Sequence, residues 1–175
     1  MYLDLTSYHE QRIAYEKLSY MANPEFETIL QFVRIPQICI DSPPSDSEPI
    51  SENQQVRSIR VKSKRAPKQR RDVEYVFRWL KGQGVVKILE VEVTDFGGGQ
   101  WAPGADCHSD EVIERALSPF EVIVWNWKRY DICSNTILTA APNVQKLYLY
   151  SKGNSAVLLG WSGEDGLKKL KDVSS

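Results

Sequence analysis

Cysteine is scarce in these 175 residues: Cys39, Cys107 and Cys133 stand far apart and form no C-x-x-C pair. An odd, scattered set gives neither a disulfide framework nor a zinc knuckle, and reduced thiols are the expectation. Histidine is scarcer still, with His9 and His108 alone, so a histidine-rich metal centre has no ligands to draw on. No apolar run approaches the roughly 18 residues that a membrane-spanning helix needs. Residues 1–5 lack the basic and apolar regions of a secretory signal. The net charge of −1 gives the whole molecule no strong pull toward nucleic acid or an anionic membrane. Neither Gly-x-Gly-x-x-Gly nor Gly-Lys-Ser/Thr occurs, so no nucleotide fingerprint is present. The expectation is a cytoplasmic or nuclear protein without cofactor, metal or membrane contact.

What is present divides the chain in three. Residues 1–40 read as two helices. Ser7 and Glu10 form an S-x-x-E capping box ahead of Ala14, Leu18 and Met21. Asn23-Pro24 is a second start signal, followed by Phe26, Ile29, Leu30 and Val33 at helical spacing, with Pro36 as the stop. Residues 41–71 read as a disordered linker, acidic and then basic. Its first part is Pro/Ser/acid-rich (Ser42-Pro43-Pro44-Ser45-Asp46-Ser47-Glu48), has almost nothing to bury, and is a candidate for phosphorylation.

Residues 72–175 alternate in period, which predicts an α/β domain: a mostly parallel sheet with helices packed on it. Asp72 is placed to cap a helix carrying Val73, Val76, Phe77 and Leu80, stopped by Gly82 and Gly84. Val86–Val93 reads as a strand. Ser109 is placed to cap a helix with Asp110 and Glu111 in its first turn and Val112, Ile113, Ala116 and Leu117 as its buried stripe. Phe120–Trp127 is apolar at alternate and intervening positions, as a strand covered on both faces should be. Ser134 opens a short helix ended by Pro142, Val144–Tyr150 is a further strand, and Ala156–Leu159 reads as another. Ser162 and Asp165 mark a last helix with Leu167 and Leu170. A weak repeat joins Val86-x-x-Leu89-x-Val91, Phe120-x-x-Ile123-x-Trp125 and Val144-x-x-Leu147-x-Leu149. Its first spacing exceeds the roughly 20–29 residues of a leucine-rich solenoid, which ranks that architecture below a compact sandwich.

Four features carry chemistry or binding. Gly97-Gly98-Gly99 follows a strand, but Gln100-Trp101-Ala102-Pro103-Gly104 comes next, where a phosphate site would need a helix to begin at once. Cys107 and His108 offer a thiol beside an imidazole, the elements of a small cysteine hydrolase. Adjacent residues rarely face one another, so the plainer reading is a loop leading into the Ser109 cap. The basic run Arg57, Arg60, Lys62, Lys64, Arg65, Lys68, Arg70 and Arg71 provides candidate phosphate contacts for nucleic acid, though no aromatic interleaves it for base stacking. Trp101, Trp125, Trp127, Tyr148, Tyr150 and Trp161 form the candidate interaction surface with loop 94–108, because aromatics bury large areas with few rotors.

Several stretches together resemble a known family. They are residues 79–89 (Trp-Leu-Lys-Gly-Gln-Gly-Val-Val-Lys-Ile-Leu), 108–117 (His-Ser-Asp-Glu-Val-Ile-Glu-Arg-Ala-Leu) and 124–128 with 131–134. Residues 141–144, residues 153–162 (Gly-Asn-Ser-Ala-Val-Leu-Leu-Gly-Trp-Ser), Tyr8-His9-Glu10 and Arg34-Ile35-Pro36 complete the set. The chain resembles the N-terminal, non-catalytic region of fungal intracellular subtilisin-like (S8 family) serine proteases. The Asp-Ser/Thr-Gly, His-Gly-Thr-His and Gly-Thr-Ser-x-Ala/Ser motifs of that family's protease domain have no counterpart here, so no catalytic residue carries over. The resemblance implies a non-catalytic accessory domain that works by protein–protein contact or regulation beside a protease, in fungal self/non-self defence for example. It also implies that the pattern would continue past residue 175 into a further strand. Oligomeric state and the identity of a partner stay open.

Overall fold

The computed structural model describes residues 1–9, 12–20, 27–41, 70–96, 107–162 and 167. Its strands are β1 (Tyr2–Asp4), β2 (Arg12–Ile13), β3 (Ile29–Ile35), β4 (Cys39–Ile40), β5 (Lys87–Thr94), β6 (Glu121–Tyr130) and β7 (Lys146–Tyr150). Its helices are α1 (Tyr15–Tyr20), α2 (Asp72–Gly82), α3 (Asp110–Leu117), α4 (Ser134–Ala140) and α5 (Ser155–Ser162), with one 3-10 turn at Thr6–Tyr8. The main sheet runs β1-β3-β5-β6-β7 with every pairing parallel, and β2 and β4 form a separate parallel pair.

The α/β fold read from the sequence is therefore present, with strands in chain order and a helix in each later crossover. α2 packs on α3, α3 on α4 and α4 on α5, so these helices line one face of the sheet. Strand and helix layers that each advance by one neighbour per crossover make a solenoid, in which each unit buries its apolar side against the next. The expected layer of helices on a mostly parallel sheet is present, and the chain-order winding is what the weak repeat pointed to. Leu30-x-x-Val33-x-Ile35, Ile88-x-x-Val91-x-Val93 and Val122-x-x-Trp125-x-Trp127 are wholly buried, and Val144-x-x-Leu147-x-Leu149 follows them. The last set coincides with the repeat seen in the sequence. The two before it sit two residues further along than that repeat, and the β3 set has no counterpart in it.

Register makes this core continuous. Leu3, Val33, Val91, Trp125 and Leu147 stand side by side across all five strands and are all buried. Stripping Trp125 to alanine would cost about 3–5 kcal/mol, since a core this dense closes a void only in part. The helices meet the sheet as their stripes predict. Val112, Ile113, Ala116 and Leu117 of α3 are buried, as are Val73, Val76, Phe77 and Leu80 of α2. Gly84, at φ +87, turns the chain from α2 toward β5, a conformation that a side chain would strain.

The N-terminal helical pair is corrected. Residues 29–35, given to a helix on the strength of Ile29, Leu30 and Val33, are the strand β3, and their apolar side chains serve the LxxLxL pattern instead. Of the first helix only Tyr15–Tyr20 remains, with Ser7 in the 3-10 turn before it. Glu10, Met21, Asn23, Pro24 and Phe26 lie outside the described residues. Ala156–Leu159, read as a strand, is helical within α5. Of the last helix, Ser162 closes α5, Leu167 is buried, and Asp165 and Leu170 lie outside the described residues. The linker's residues 42–69 lie outside them as well.

Candidate functional site

The side chains that alternate with the buried rows face away from the helices, and no described helix covers them. β6 shows this best: Val122, Trp125 and Trp127 are buried, while Ile123, Val124 and Asn126 are half-buried, so this strand is covered on one face and not on two. Across the open face one row reads Tyr2, Phe32, Glu90, Val124 and Lys146, and the next reads Asp4, Arg34, Glu92, Asn126 and Tyr148. Neighbours in a row stand about 4.8 Å apart, within reach of one another's polar atoms.

A ladder of opposite charges crosses this face. Arg34 bridges Asp4 (Nη1 to Oδ2, 3.4 Å) and Glu92 (Nε to Oε2, 3.2 Å). Lys128 Nζ donates to the other oxygen of Glu92 at 2.6 Å. Burial opposes ionisation of Glu92, yet hydrogen bonds and charge from Lys128 and Arg34 hold its carboxyl below the ordinary range. On the β7 side the face becomes aromatic. The Tyr150 hydroxyl donates to Asn126 Oδ1 at 2.7 Å, Lys146 sits over the Tyr148 ring at 4.9 Å, and Phe96 stacks on Tyr130 and Tyr150. Asp4, Glu90 and Glu92 are matched by Arg34, Lys128 and Lys146, so the face is neutral in sum and structured in detail.

A second polar constellation lies under the carboxyl ends of the strands. His108 is 1% exposed and Asp95 is 0% exposed, so what they touch decides whether they are chemistry or structure. His108 Nδ1 lies 2.8 Å from Asp95 Oδ1, and the Trp127 indole N–H donates to Asp95 Oδ2 at 3.0 Å. Nε2 faces the Val73 N–H at 3.5 Å and Asp72 Oδ2 at 3.7 Å, the latter too long for a hydrogen bond and felt through charge. Asp72 accepts the Ile40 N–H at 2.6 Å and Arg70 Nε at 3.1 Å, while Arg70 Nη2 donates to the Ile38 carbonyl. Burial works against the charged ring, but the two carboxylates outweigh it and raise the His108 pKa. Burial likewise opposes ionisation of Asp72, and His108, the Ile40 N–H and Arg70 overcome it and lower that pKa. Both ring nitrogens of His108 face fixed partners, and the ring is buried. The cluster is a clasp joining β4, α2, β5, α3 and β6.

The residues singled out in the sequence fall as follows. Trp125 and Trp127 are corrected: at 1% and 0% exposed they are core, not contact surface. Their wide, alternating pattern was right for a strand, but both occupy the side that meets the helices. Tyr148 is exposed and Tyr150 half-buried, and these two do share the open face. Trp161 is half-buried on α5 and donates its indole N–H to the Ile132 carbonyl at 2.8 Å, away from that face. Trp101 and Gly97-Gly98-Gly99 lie outside the described residues. Of the basic run, Arg57, Arg60, Lys62, Lys64, Arg65 and Lys68 also lie outside them. Arg70 is held in the clasp, and Arg71 makes a bidentate pair with Glu74. Cys107 is half-buried, next in the chain to the buried His108, whose Nδ1 faces Asp95.

Sequence reasoning missed Asp4, Arg34, Glu92 and Lys128, and it missed Asp95 altogether. Moving the LxxLxL frame by two residues would have marked Glu90, Glu92, Val124 and Asn126 as outward positions. Among the described residues, no group of three or more His, Cys, Asp and Glu side chains is arranged to hold a metal, and no helix is long and apolar enough to cross a membrane. Compared with family models, curated proteins and solved structures, the chain finds no match in any of the three.

Proposed function

We propose that this chain is a non-catalytic recognition domain that binds a protein partner through the open face of its parallel sheet. The observation that carries the reading is that face itself: two registered rows of outward side chains on five strands, joined by the Asp4–Arg34–Glu92–Lys128 ladder and ending in Tyr148 and Tyr150. The backbone fixes every position, so little ordering cost remains on binding. Balanced charge favours a partner with its own mixed polar and aromatic surface and disfavours a polyanion. The resemblance to the N-terminal region of fungal subtilisin-like proteases suggests that such a partner is a protease domain or a protein that regulates one. A hydrolase at Cys107 and His108 is disfavoured by the burial of the ring, which is 1% exposed. A nucleic-acid role for the basic run loses Arg70 and Arg71 to internal pairs.

The test compares wild type with the Tyr2→Ala/Tyr148→Ala variant, both positions being exposed. Each is incubated with a separately purified subtilisin-like protease domain and with fungal lysate, and captured at low and high salt. The expected result is a salt-resistant partner bound at least tenfold more weakly by the variant, about 1.4 kcal/mol, with thermal stability unchanged. Equal capture of the same partner by both proteins sinks the proposal.

A further inference from the structure

The two edges of the main sheet are not alike. β1 closes one of them with three residues, and Asp4 ends it by accepting the Thr6 N–H at 2.9 Å as the chain enters the 3-10 turn. A short edge strand that ends in a charge is guarded against pairing with a foreign strand. β7 stands at the other edge, with β6 as its only partner among the described residues. Its five residues, Lys-Leu-Tyr-Leu-Tyr, hold no proline and a single charge. Just before it, Gln145 donates its N–H to the Ile123 carbonyl at 2.8 Å. Backbone groups alternate in direction along an extended strand, so the N–H and C=O of Lys146 and Tyr148 point to the outer edge. Lys146 and Lys152 are exposed at the two ends of this edge, each over a ring, Tyr148 at 4.9 Å and Tyr130 at 4.8 Å. Among the described residues no carboxylate pairs with either lysine. Glu90 shares a row with Lys146 but stands two strands away, about 10 Å, which is one Debye length in about 0.1 M salt. On the helix side Leu149 is half-buried, and α5 extends the apolar surface. Val157 and Trp161 are the half-buried side of α5, where Trp161 donates to Ile132. Leu159 lies about 160° round the helix from both, and it is 70% exposed, with Leu158 42% exposed beside it.

We infer that the outer edge of β7 takes up an extended segment of a partner protein as a further strand, one with acidic residues at its ends and alternating apolar residues between them. The outward N–H and C=O groups of Lys146 and Tyr148 supply main-chain hydrogen bonds, and alternate side chains of the added strand supply selectivity. Carboxylates on its open-face side meet Lys146 and Lys152, and its apolar residues fall on the side of Leu149 and the exposed leucines of α5. A second copy of this chain fits less well. Antiparallel pairing of two β7 strands centred on Tyr148 sets Lys146 of one copy diagonal to Lys152 of the other, and like charges oppose it. Pairing of β7 with β1 meets the guarded edge. The site uses the backbone of one strand rather than the side chains of five, and it does not depend on the open-face reading.

The experiment uses the full chain and three labelled peptides, read by fluorescence anisotropy at low salt. They are Glu-Val-Thr-Val-Thr-Val-Glu, the same peptide with Lys at both ends, and Glu-Val-Pro-Pro-Thr-Val-Glu, which cannot complete a strand. The first has the same sequence in both directions, so parallel and antiparallel docking are tested together. Saturable binding is expected for it, with the other two weaker by about tenfold or more. K146E/K152E should reverse the charge preference and make the Lys-ended peptide the tighter ligand. Tyr2→Ala, at the guarded edge, should leave binding unchanged, which separates this test from that of the open face. Amide exchange on the wild-type chain is the second measurement. The Lys146 and Tyr148 amides should exchange faster than that of Gln145 in the free chain and slow at least tenfold when the first peptide is bound. The inference is overturned if no saturable binding occurs, if the proline or Lys-ended peptide binds wild type as tightly, or if K146E/K152E leaves the preference unchanged. Lys146 and Tyr148 amides already as slow as that of Gln145 in the free chain also overturn it, because the edge is then covered by the chain itself or by a second copy.

Discussion

His108 looks catalytic in the sequence, and the fold buries it among fixed partners. Beside a cysteine and before a serine it suggests a nucleophile and its base, yet it is buried against Asp95 and faces Asp72, Arg70 and the Trp127 indole. Nothing local in the sequence announces Asp95, because the partner arrives from the end of a different strand. The clasp has a pH signature. Its raised folded pKa means that His108 stabilises the fold fully below the unfolded value of about 6.5, and that this contribution is lost as pH rises through the folded value. His108→Gln should therefore lower stability on the acidic side of about pH 6.5 and flatten the profile above it. Urea titrations of both proteins from about pH 5.5 to about pH 8.5 read this directly. Parallel curves would show that folding leaves the ring's pKa unshifted and would overturn this reading.

Elements were legible where one pattern had one interpretation. α3 declares itself through its acidic first turn and its Val112, Ile113, Ala116 and Leu117 stripe, and the structure keeps all four buried. β3 was misread because Ile29, Leu30 and Val33 fit a helix face as well as they fit a strand in which buried residues recur three apart and then two apart. Only the neighbouring strands β1 and β5, more distant in the chain, decide between the two. The same ambiguity hid which side of β6 holds its tryptophans. A matched pair of substitutions separates the sides. Trp125→Ala should cost about 3–5 kcal/mol, whereas Val124→Ala, half-buried on the other face, should cost about 1 kcal/mol or less. Denaturant midpoints of the two variants check this, and similar losses would mean that the open face is covered.

At the scale of the molecule, parallel alternation and the absence of a transmembrane run were readable from composition and period. The chain-order winding was not, because unequal spacing between strands disguised the repeat. A solenoid is held together by nearest neighbours, so its stability need not be uniform. β5 and β6 lie inside the sheet, while α5 has no buried residue and leaves Leu159 70% exposed. Amide hydrogen exchange should accordingly be slowest in β5 and β6 and fastest by several orders of magnitude in α5. Equal protection across all of them would show a single cooperative unit.

The alternation of inward and outward positions also has a bearing on descent. In β5, Val91 and Val93 answer to the helices, while Glu90 and Glu92, alternating with them, answer to solvent and to the flanking strands. The two sets of codons lie interleaved along the same few dozen bases, yet selection acts on them through different properties of the protein. A lineage can thus rewrite its outward letters while the inward letters preserve the architecture that displays them.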